Sequence, residues 1–255
     1  MTAAERQKAI EAYVLDRGDA RIDELVDTFG VSRMTIHRHI EELSRLGVIR
    51  KLHGSVSAQP SGVYESLFSF RQNRETDVKR ALAAEALGEI SPGEVILLDD
   101  STTVSTLGPM LAAKTPLNVV TNSLGLATDL VAVDEITLLS LGGDYHPTYN
   151  AFIGHLCENA LAGLKVNTLI CSTSAVENGL ALIQDPAVTR VKQAMMQAAK
   201  RTILLVDSGK YGKVALHAFA PLSEFDLVIT DDGLDDATIT ALRAAGVNLR
   251  LVARP

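Results

Sequence analysis

The sequence of 255 residues lacks tryptophan, and aromatic residues make up only 4% of it. The core must therefore be built from aliphatic side chains, in keeping with a hydrophobic content of 47% and a mean hydropathy of +0.16. Cys157 and Cys171 are too few for a disulfide framework or a metal cluster. No apolar run approaches the roughly 18 residues of a membrane span, and the charged N-terminus has no signal-peptide core. We therefore expect a cytoplasmic globular protein without a membrane partner, a cofactor or a metal site.

The net charge of −7 belongs to the second part of the chain. Residues 1–58 contain nine basic and nine acidic residues, whereas residues 59–255 contain 15 basic and 22 acidic ones. An acidic chain of this kind does not coat nucleic acid indiscriminately. Within Ser32–Ala58, however, five basic residues accompany two acidic ones, which indicates a local positive surface.

Three amphipathic helices are predicted near the N-terminus. The segments Arg6–Arg17 and Arg21–Phe29 carry apolar residues at helical spacing, and each is followed by a glycine. The third helix should begin at Ser32, a favourable N-cap, and run to Leu46. Its apolar residues share one face, so its basic residues lie on the other.

A short turn joins the second and third predicted helices, which is the arrangement of a helix-turn-helix. Val48–Ser57 then alternates apolar and polar residues around His53-Gly54, as a two-stranded wing does. A three-helix interaction or dimerisation module would show the same pattern, and its charged face would then only be solvated. Spacing alone leaves these two interpretations of residues 1–58 open.

The third helix and the wing resemble the DNA-binding signature of the DeoR/GlpR family of bacterial transcriptional regulators. The family pattern V-S-x-x-T-I-R-R-D-L, followed by L-x-x-x-G-x-I-x-R-x-x-G-G, is matched by Val31, Ser32, Thr35, Ile36, Arg38, Leu43, Gly47 and Gly54. In such proteins the hydroxyls hold the DNA backbone and the arginines reach the major groove. The resemblance implies a winged helix-turn-helix over residues 1–58. Its expected DNA-binding residues are Ser32, Arg33, Thr35, His37, Arg38 and, in the wing, His53.

Two departures concern the residues that would read bases. The family's R-R-D-L is replaced by His37-Arg38-His39-Ile40, and Ser55 stands where the wing has its second glycine. Arginine can hold guanine through two hydrogen bonds, whereas histidine offers one donor at a time. We therefore expect an operator distinct from that of typical relatives, with weaker or pH-sensitive binding.

The remainder of the chain reads as a linker and one large domain. Residues 59–74 are predicted to form the linker, because Ser57–Ser66 is rich in serine, proline and glycine. From residue 75 to 255, seven strand-like runs alternate with helical segments, which predicts an α/β domain with a mainly parallel sheet. The runs are Val95–Leu98, Leu117–Val120, Ile136–Leu141, Thr168–Cys171, Thr202–Val206, Asp226–Ile229 and Asn248–Val252.

Polar residues or glycines follow most of these runs. The carboxyl ends of parallel strands share one edge of the sheet, where open α/β sheets bind ligands. A phosphorylated polyol would suit this edge: Ser101–Thr103 would hold phosphate, Lys210 would add a positive charge, and Asp99 or Asp207 would accept from hydroxyls. Alternatively, such residues only cap the following helices, and Gly142-Gly143 is only a tight turn.

The same positions resemble the effector-sensing domain of the DeoR/GlpR family. Its patterns D-S-G-T-T, V-V-T-N-S, L-G-G, D-S-S-K and I-T-D correspond to Asp99–Thr103, Val119–Ser123, Leu141–Gly143, Asp207–Lys210 and Ile229–Asp231. The resemblance implies a repressor of a sugar or sugar-alcohol catabolic operon that a phosphorylated intermediate releases. It also implies a sensor fold like that of ribose-5-phosphate isomerase and CoA transferases. The expected effector-binding residues are Asp99, Asp100, Ser101, Thr102, Thr103, Thr121, Asn122, Ser123, Gly142, Gly143, Asp207 and Lys210.

Further departures affect the expected ligand. Asp100 and Ser101 replace the serine and glycine of D-S-G-T-T, which adds a negative charge and removes a flexible backbone position. Ser172–Ala175 also differs from the family's glycine-bearing segment, and the family's acid shortly before Lys192 is absent. A polyol is therefore expected as the recognised group more firmly than a phosphate.

The combined expectation is a sugar-responsive repressor that forms a dimer or tetramer and whose partners are operator DNA and a small effector. The alternative is a sugar-phosphate isomerase with an appended helical module, which would need a general base such as Asp99 or Glu177. An isomerase has no use for a helix-turn-helix, so we expect no enzyme. No nucleotide-binding motif appears, and the histidines lack metal-ligand spacing.

Overall fold

The computed structural model describes residues 2–45, 49–57, 71–72 and 74–255. The chain divides into two compact units, Met1–Phe70 and Arg71–Pro255. The predicted end of the third helix at Leu46, and most of the predicted linker at 59–74, lie outside the described residues. None of the helices within the described residues is long and apolar enough to cross a membrane.

The described residues of the first unit form three helices and three short strands. They are α1 (Ala3–Arg17), β1 (Asp19–Arg21), α2 (Ile22–Phe29), α3 (Arg33–Arg45), β2 (Arg50–Lys51) and β3 (Ser55–Ser57). A capping box begins α1, because the Thr2 hydroxyl accepts from the Glu5 N–H while the Glu5 carboxylate accepts from the Thr2 N–H. Gly30 ends α2 in the left-handed conformation, with φ of 60°.

An antiparallel sheet with the order β1-β3-β2 completes this unit. The wing strands β2 and β3 follow the prediction, whereas β1 was not predicted, since Asp19–Arg21 contains a single apolar residue between two charged ones. One apolar core joins the helices to the sheet, and it includes Ile10, Leu25, Ile36, Ile40 and Val56. The first unit is thus a winged helix-turn-helix.

The second unit is built around a seven-stranded sheet. The strands are β4 (Val95–Leu98), β5 (Leu117–Thr121), β6 (Ile136–Ser140), β9 (Val166–Ser172), β12 (Ala199–Leu205), β14 (Leu227–Asp231) and β15 (Leu249–Val252). Their order across the sheet is β15-β14-β12-β9-β4-β5-β6, and each neighbouring pair is parallel. All seven predicted runs form strands of this sheet, and the predicted α/β class with a parallel sheet is confirmed.

Both faces of this sheet are covered, which explains why the strands read as continuous apolar runs. In β4, Leu97 belongs to the core on one face, and Ile96 and Leu98 belong to the core on the other. The covering helices are α4 (Thr76–Gly88), α5 (Thr102–Ser105), α6 (Leu124–Leu130), α7 (His155–Ala162), α8 (Pro186–Ala198) and α9 (Asp236–Ala244). Short 3₁₀ helices occupy Gly108–Lys114, Ser208–Lys210 and Leu222–Glu224.

Two small antiparallel sheets were not predicted. The strands β7 (Asp144–His146) and β8 (Ala151–Ile153) form a hairpin, and β10 (Ala175–Glu177), β11 (Leu180–Ile183) and β13 (His217–Pro221) form a sheet in that order. These strands have three to five residues each. They follow the carboxyl ends of the large sheet and therefore help to enclose that edge.

Candidate functional site

The first residues of α3 form a small hydroxyl pair at the surface. The Ser32 Oγ accepts from the Thr35 N–H at 3.2 Å and lies 3.0 Å from the Thr35 Oγ1. Ser32 therefore caps α3, as its residue type predicts. Both hydroxyls retain acceptor or donor capacity for a further partner, such as a DNA phosphate.

The outward face of α3 carries the other predicted DNA-binding side chains of this helix. Arg33 and Arg38 are exposed and His37 is half-buried, whereas Ile36 and Ile40 point into the core. Arg33 also forms an exposed ion pair with Asp23 of α2, at 3.1 Å.

The sixth predicted residue, His53, is exposed in the turn between β2 and β3. A recognition helix with exposed arginines, followed by a wing with basic residues, is the geometry of major-groove readers.

His39 belongs to the core of the first unit and not to its outward face. Its side chain is only 4% exposed. Burial lowers its pKa below the ordinary value, and the charges of Arg38 and Arg6 lower it further, so the ring is neutral at pH 7. The sequence pattern did not reveal this burial.

In the second unit, Asp99 joins the carboxyl ends of two central strands. It is fully buried at the end of β4. Its Oδ1 accepts from the Ser101 N–H at 2.9 Å, and its Oδ2 accepts from the Ser172 N–H at the end of β9, at 2.8 Å. Asp99 thus holds the loops after β4 and β9 together.

Lys192 reaches this point from the buried side of α8. Its ammonium forms a short ion pair with Asp99 and donates to the Ser172 carbonyl at 3.0 Å. Burial lowers the pKa of Lys192, but the Asp99 and Asp100 carboxylates more than reverse this, so the pKa lies above its ordinary value. A buried ammonium of this kind is charged at neutral pH.

A second ion pair stands on the other side of Ser172. The Lys210 ammonium donates to the Ser172 Oγ at 3.1 Å and lies 3.4 Å from the Asp207 carboxylate. Burial lowers the pKa of Lys210, although Asp207 opposes this. Burial raises the pKa of the Asp207 carboxyl. The charge of Lys210 and its hydrogen bond lower that pKa by more, so it lies below its ordinary value. Two lysines therefore meet at one residue of the central strand.

A recess of about 270 Å³, its open mouth included, lies beside these pairs. Its lining is Arg71, Asp100, Ser101, Tyr149, Ser172, Thr173, Ser174, Ile183, Val188 and Lys192. The guanidinium of Arg71 lies 5.6 Å from the centre of the Tyr149 ring. The recess thus combines cations and hydroxyls, which suit a polar anionic ligand, with one carboxyl, that of Asp100.

Only Asp100 and Ser101 among the twelve predicted effector residues line this recess. Ser101 also caps α5, because its Oγ accepts from the Val104 N–H at 3.1 Å. Thr102 and Thr103 follow it on α5 and are buried. Asp99, Asp207 and Lys210 lie around Ser172, next to the recess.

The predicted residues after β5 and β6 have local contacts of their own. The Thr121 Oγ1 accepts from the Ser123 N–H at 3.0 Å, and the Ser123 Oγ caps α6 through the Leu126 N–H. The Asn122 amide donates to the Phe152 carbonyl at 3.1 Å. Gly142 and Gly143 follow β6, two strands away from β4.

The sequence did not predict that two helices, α8 and α4, would each contribute a lysine to this edge of the sheet. Lys192 shares a buried stripe with Val188, Val191 and Met195, and Lys79 shares one with Leu82, Ala83 and Ala86. Burial, with a contribution from Lys210, lowers the pKa of Lys79 to about 7, and its ammonium donates to the Arg71 carbonyl. The sequence did contain a signal for both lysines, because each is spaced along its helix so that it falls on the same face as the buried apolar residues. Arg71 and Tyr149 offered no such signal, whereas Ser172–Ser174 follow the fourth predicted run and belong to the polar residues that marked this edge.

The two units together define a class of protein: a ligand-responsive transcriptional regulator, with a winged helix-turn-helix and a sensor domain. Family models agree with this division. The DeoR-like helix-turn-helix domain matches residues 6–61, and the DeoR C-terminal sensor domain matches residues 74–232. The chain belongs to the DeoR family of DNA-binding transcriptional regulators.

Three curated relatives align along almost the whole chain. The uncharacterized HTH-type transcriptional regulator YulB of Bacillus subtilis is 33% identical over 99% of this chain and 98% of its own length. The HTH-type transcriptional regulator GlpR of Haloferax volcanii is 30% identical over 98% of each chain. The L-fucose operon activator of Haemophilus influenzae is 32% identical over 91% of this chain and 93% of its own.

Solved structures with a similar arrangement are more distant. A D-ribose-5-phosphate isomerase in complex with phospho-erythronic acid aligns with a TM-score of 0.40 and 17% identity, over 53% of this chain and 54% of that chain. The β subunit of eIF2B from Chaetomium thermophilum aligns with a TM-score of 0.44 and 18% identity, over 77% and 52%.

Proposed function

We propose that this protein represses a sugar or sugar-alcohol catabolic operon and that a sugar-derived effector, phosphorylated or free, releases it from DNA. The observation that supports this most is the recess at the carboxyl edge, where Arg71 and Lys192 accompany the hydroxyls of Ser172–Ser174. Cations suit an anionic group, and hydroxyls suit a polyol. The name of the L-fucose operon activator is consistent with a sugar-linked role.

The recess is proposed to bind its ligand without converting it. An isomerase would need a general base. The two residues that the sequence analysis named for that role, Asp99 and Glu177, are not suited to it. Asp99 already accepts from two backbone N–H groups and from Lys192. Glu177 lies on β10 and is not among the residues that line the recess. A base with its oxygens engaged cannot readily take a substrate proton.

Release from DNA is proposed to follow from a shift between oligomer populations. The protein would act as a homo-oligomer, a dimer or tetramer, because two recognition helices must match two half-sites of the operator. An effector that binds one arrangement more tightly then moves the population toward it.

The effector class can be tested by a thermal-shift screen of free and phosphorylated sugars and sugar alcohols. A ligand at a hundred times its Kd should stabilise the protein by about 2.7 kcal/mol. Lys210→Ala removes a cation beside the recess, so we expect this variant to lose most of the ligand-induced shift. Lys200→Ala, an exposed lysine at the opposite end of β12, serves as the control and should keep it. A panel without any binder would contradict the sugar effector.

The DNA-binding surface can be tested with Arg38→Ala and a DNA fragment from upstream of the protein's own gene. Loss of an exposed cation on α3 should weaken binding and reduce the slope of log K against log salt by about one if Arg38 contacts a phosphate. Arg80→Ala, an exposed arginine on α4, is the control. Equal affinity of both variants and the wild type would exclude Arg38 from the interface.

A further inference from the structure

The two neighbouring aspartates after β4 differ in how their oxygens are used. Both oxygens of Asp99 accept hydrogen bonds, from the N–H groups of Ser101 and Ser172 and from Lys192. Asp100 is likewise buried, at 2% exposure, yet its Oδ1 has no hydrogen-bond partner within the described residues. A buried acceptor without a donor lowers stability, so the free oxygen of Asp100 needs a partner that the described fold does not supply.

Asp100 lines the recess, and the lining around it suggests what that partner is. Arg71 and Lys192 bring positive charge, which suits an anionic group of a ligand. When it is ionised, the Asp100 carboxylate can only accept hydrogen bonds, so in that form it repels the anionic group and suits a hydrogen-bond donor. One recess with both features fits a ligand that carries hydroxyls beside its anionic group.

We propose that Asp100 is a specificity-determining residue of the effector site, and that its Oδ1 accepts a hydrogen bond from a hydroxyl of a polyhydroxylated effector. The inference rests on the function proposed above. The effector's hydroxyl supplies the missing donor, so the site recognises the polyol part of the ligand as well as its charge. A ligand without a hydroxyl at this point leaves the carboxylate unpaired and binds less tightly.

The groups around Asp100 also set how binding depends on pH. Burial and the negative charge of Asp99 raise the pKa of the Asp100 carboxyl, whereas the positive charges of Lys192 and Arg71 lower it. Burial has the largest effect, and the resulting pKa lies above the ordinary value for an aspartate. The nearby Cys157 thiol stays neutral, because burial and Asp100 raise its pKa to about 12. A hydroxyl donor favours the ionised carboxylate. Hydroxylated ligands should therefore bind more tightly as the pH rises through the pKa of Asp100 in the free protein.

Calorimetry of the full chain at several pH values tests this proposal, with sugar phosphates, free sugar alcohols and inorganic phosphate as probes. Asp100→Asn keeps the shape of the side chain and removes its charge. We expect it to lose at least tenfold in affinity for the best hydroxylated probe, to bind inorganic phosphate no less tightly because a repelling charge is removed, and to lose the pH dependence. Its melting temperature without ligand should not fall. Asp129→Asn, the same change at an exposed position on α6, should leave all four properties unaltered.

Several outcomes would overturn the assignment. Equal binding of the hydroxylated probe by Asp100→Asn would show that the charge of Asp100 contributes nothing to recognition, and tighter binding would show that the charge opposes it. A lower melting temperature without ligand would show that the carboxylate serves the fold. A wild type that binds inorganic phosphate as tightly as every hydroxylated probe would reject the role of Asp100 but retain the anion site. A wild type that binds none of the probes would reject both this role and the proposed effector class.

Discussion

Replacing Lys192 with methionine is expected to destabilise the sensor unit by about 3–5 kcal/mol, because removing one partner of a buried ion pair leaves the other charge uncompensated. The remaining charge would be that of Asp99, whose side chain is fully buried. Its two backbone N–H donors, from Ser101 and Ser172, do not replace the lost positive charge. Chemical denaturation of the full chain, followed through the transition of the sensor unit, measures the change.

A second substitution separates charge from packing. In the Lys192→Met background, Asp99→Asn removes the buried charge and keeps an oxygen that accepts from a backbone N–H. We expect this double variant to recover a substantial part of the lost stability. Arg190→Met on the same helix removes an exposed pair with Glu158 and should cost less than about 1 kcal/mol. A Lys192→Met protein no less stable than Arg190→Met would refute the role of the pair.

The ion pair also predicts how stability varies with alkaline pH. Lys192 has a pKa above its ordinary value in the folded protein. The stabilisation from its charge is therefore fully present below the pKa of the unfolded chain, about 10.4, and is lost as the pH rises through the folded-state pKa. The wild type and Lys192→Met should converge in stability only in that alkaline range.

Replacing Gly143 with alanine is expected to cost about 3 kcal/mol or more, since the change combines backbone strain with a steric clash. Gly143 has φ of +144°, which side chains other than glycine rarely adopt, and a Cβ there would overlap the backbone oxygen of Ile153 on β8. The loop after β6 and the β7–β8 hairpin must separate to make room. Denaturation of the purified variant measures the loss.

The neighbouring glycine provides a matched control. A Cβ at Gly142 would meet no atom of the described residues within 4 Å, and its φ does not lie in the left-handed region. Gly142→Ala should therefore change stability by no more than about 1 kcal/mol. If the two alanine variants were equally stable, the close approach at Gly143 would not limit the fold. If Gly142→Ala alone weakened ligand binding, Gly142 would belong to the effector site.

The main sheet was predictable because its strands are buried on both faces. Continuous apolar runs such as Val95–Leu98 are typical of such strands, and all seven were found. The strands of the two small sheets and β1 escaped prediction for a reason other than their length, since β4 and β15 have only four residues each and were found. Their positions depend on partners elsewhere in the chain, such as Val56 opposite Ala20.

The candidate site was predictable in its place and only partly in its members. Polar residues after apolar runs located it at the carboxyl edge, and Asp100 and Ser101 do line the recess. Lys192 was not predicted, because it lies 93 residues from its partner Asp99. Its helix, α8, otherwise has the sequence of an ordinary helix that covers one face of the sheet. Local spacing cannot report a contact between elements so far apart in sequence.

The sequence by itself determined the two units, the parallel sheet and the edge at which polar residues gather. These features follow from local periodicity and from turn residues, which act over a few positions. Only the tertiary structure decided what each polar side chain does there. Asp99 and Asp100 are neighbours of the same type, yet one is neutralised by a lysine from α8 and the other keeps an oxygen without a donor in the described structure. That difference arises because hydrogen bonds and burial depend on which distant elements pack around each carboxylate.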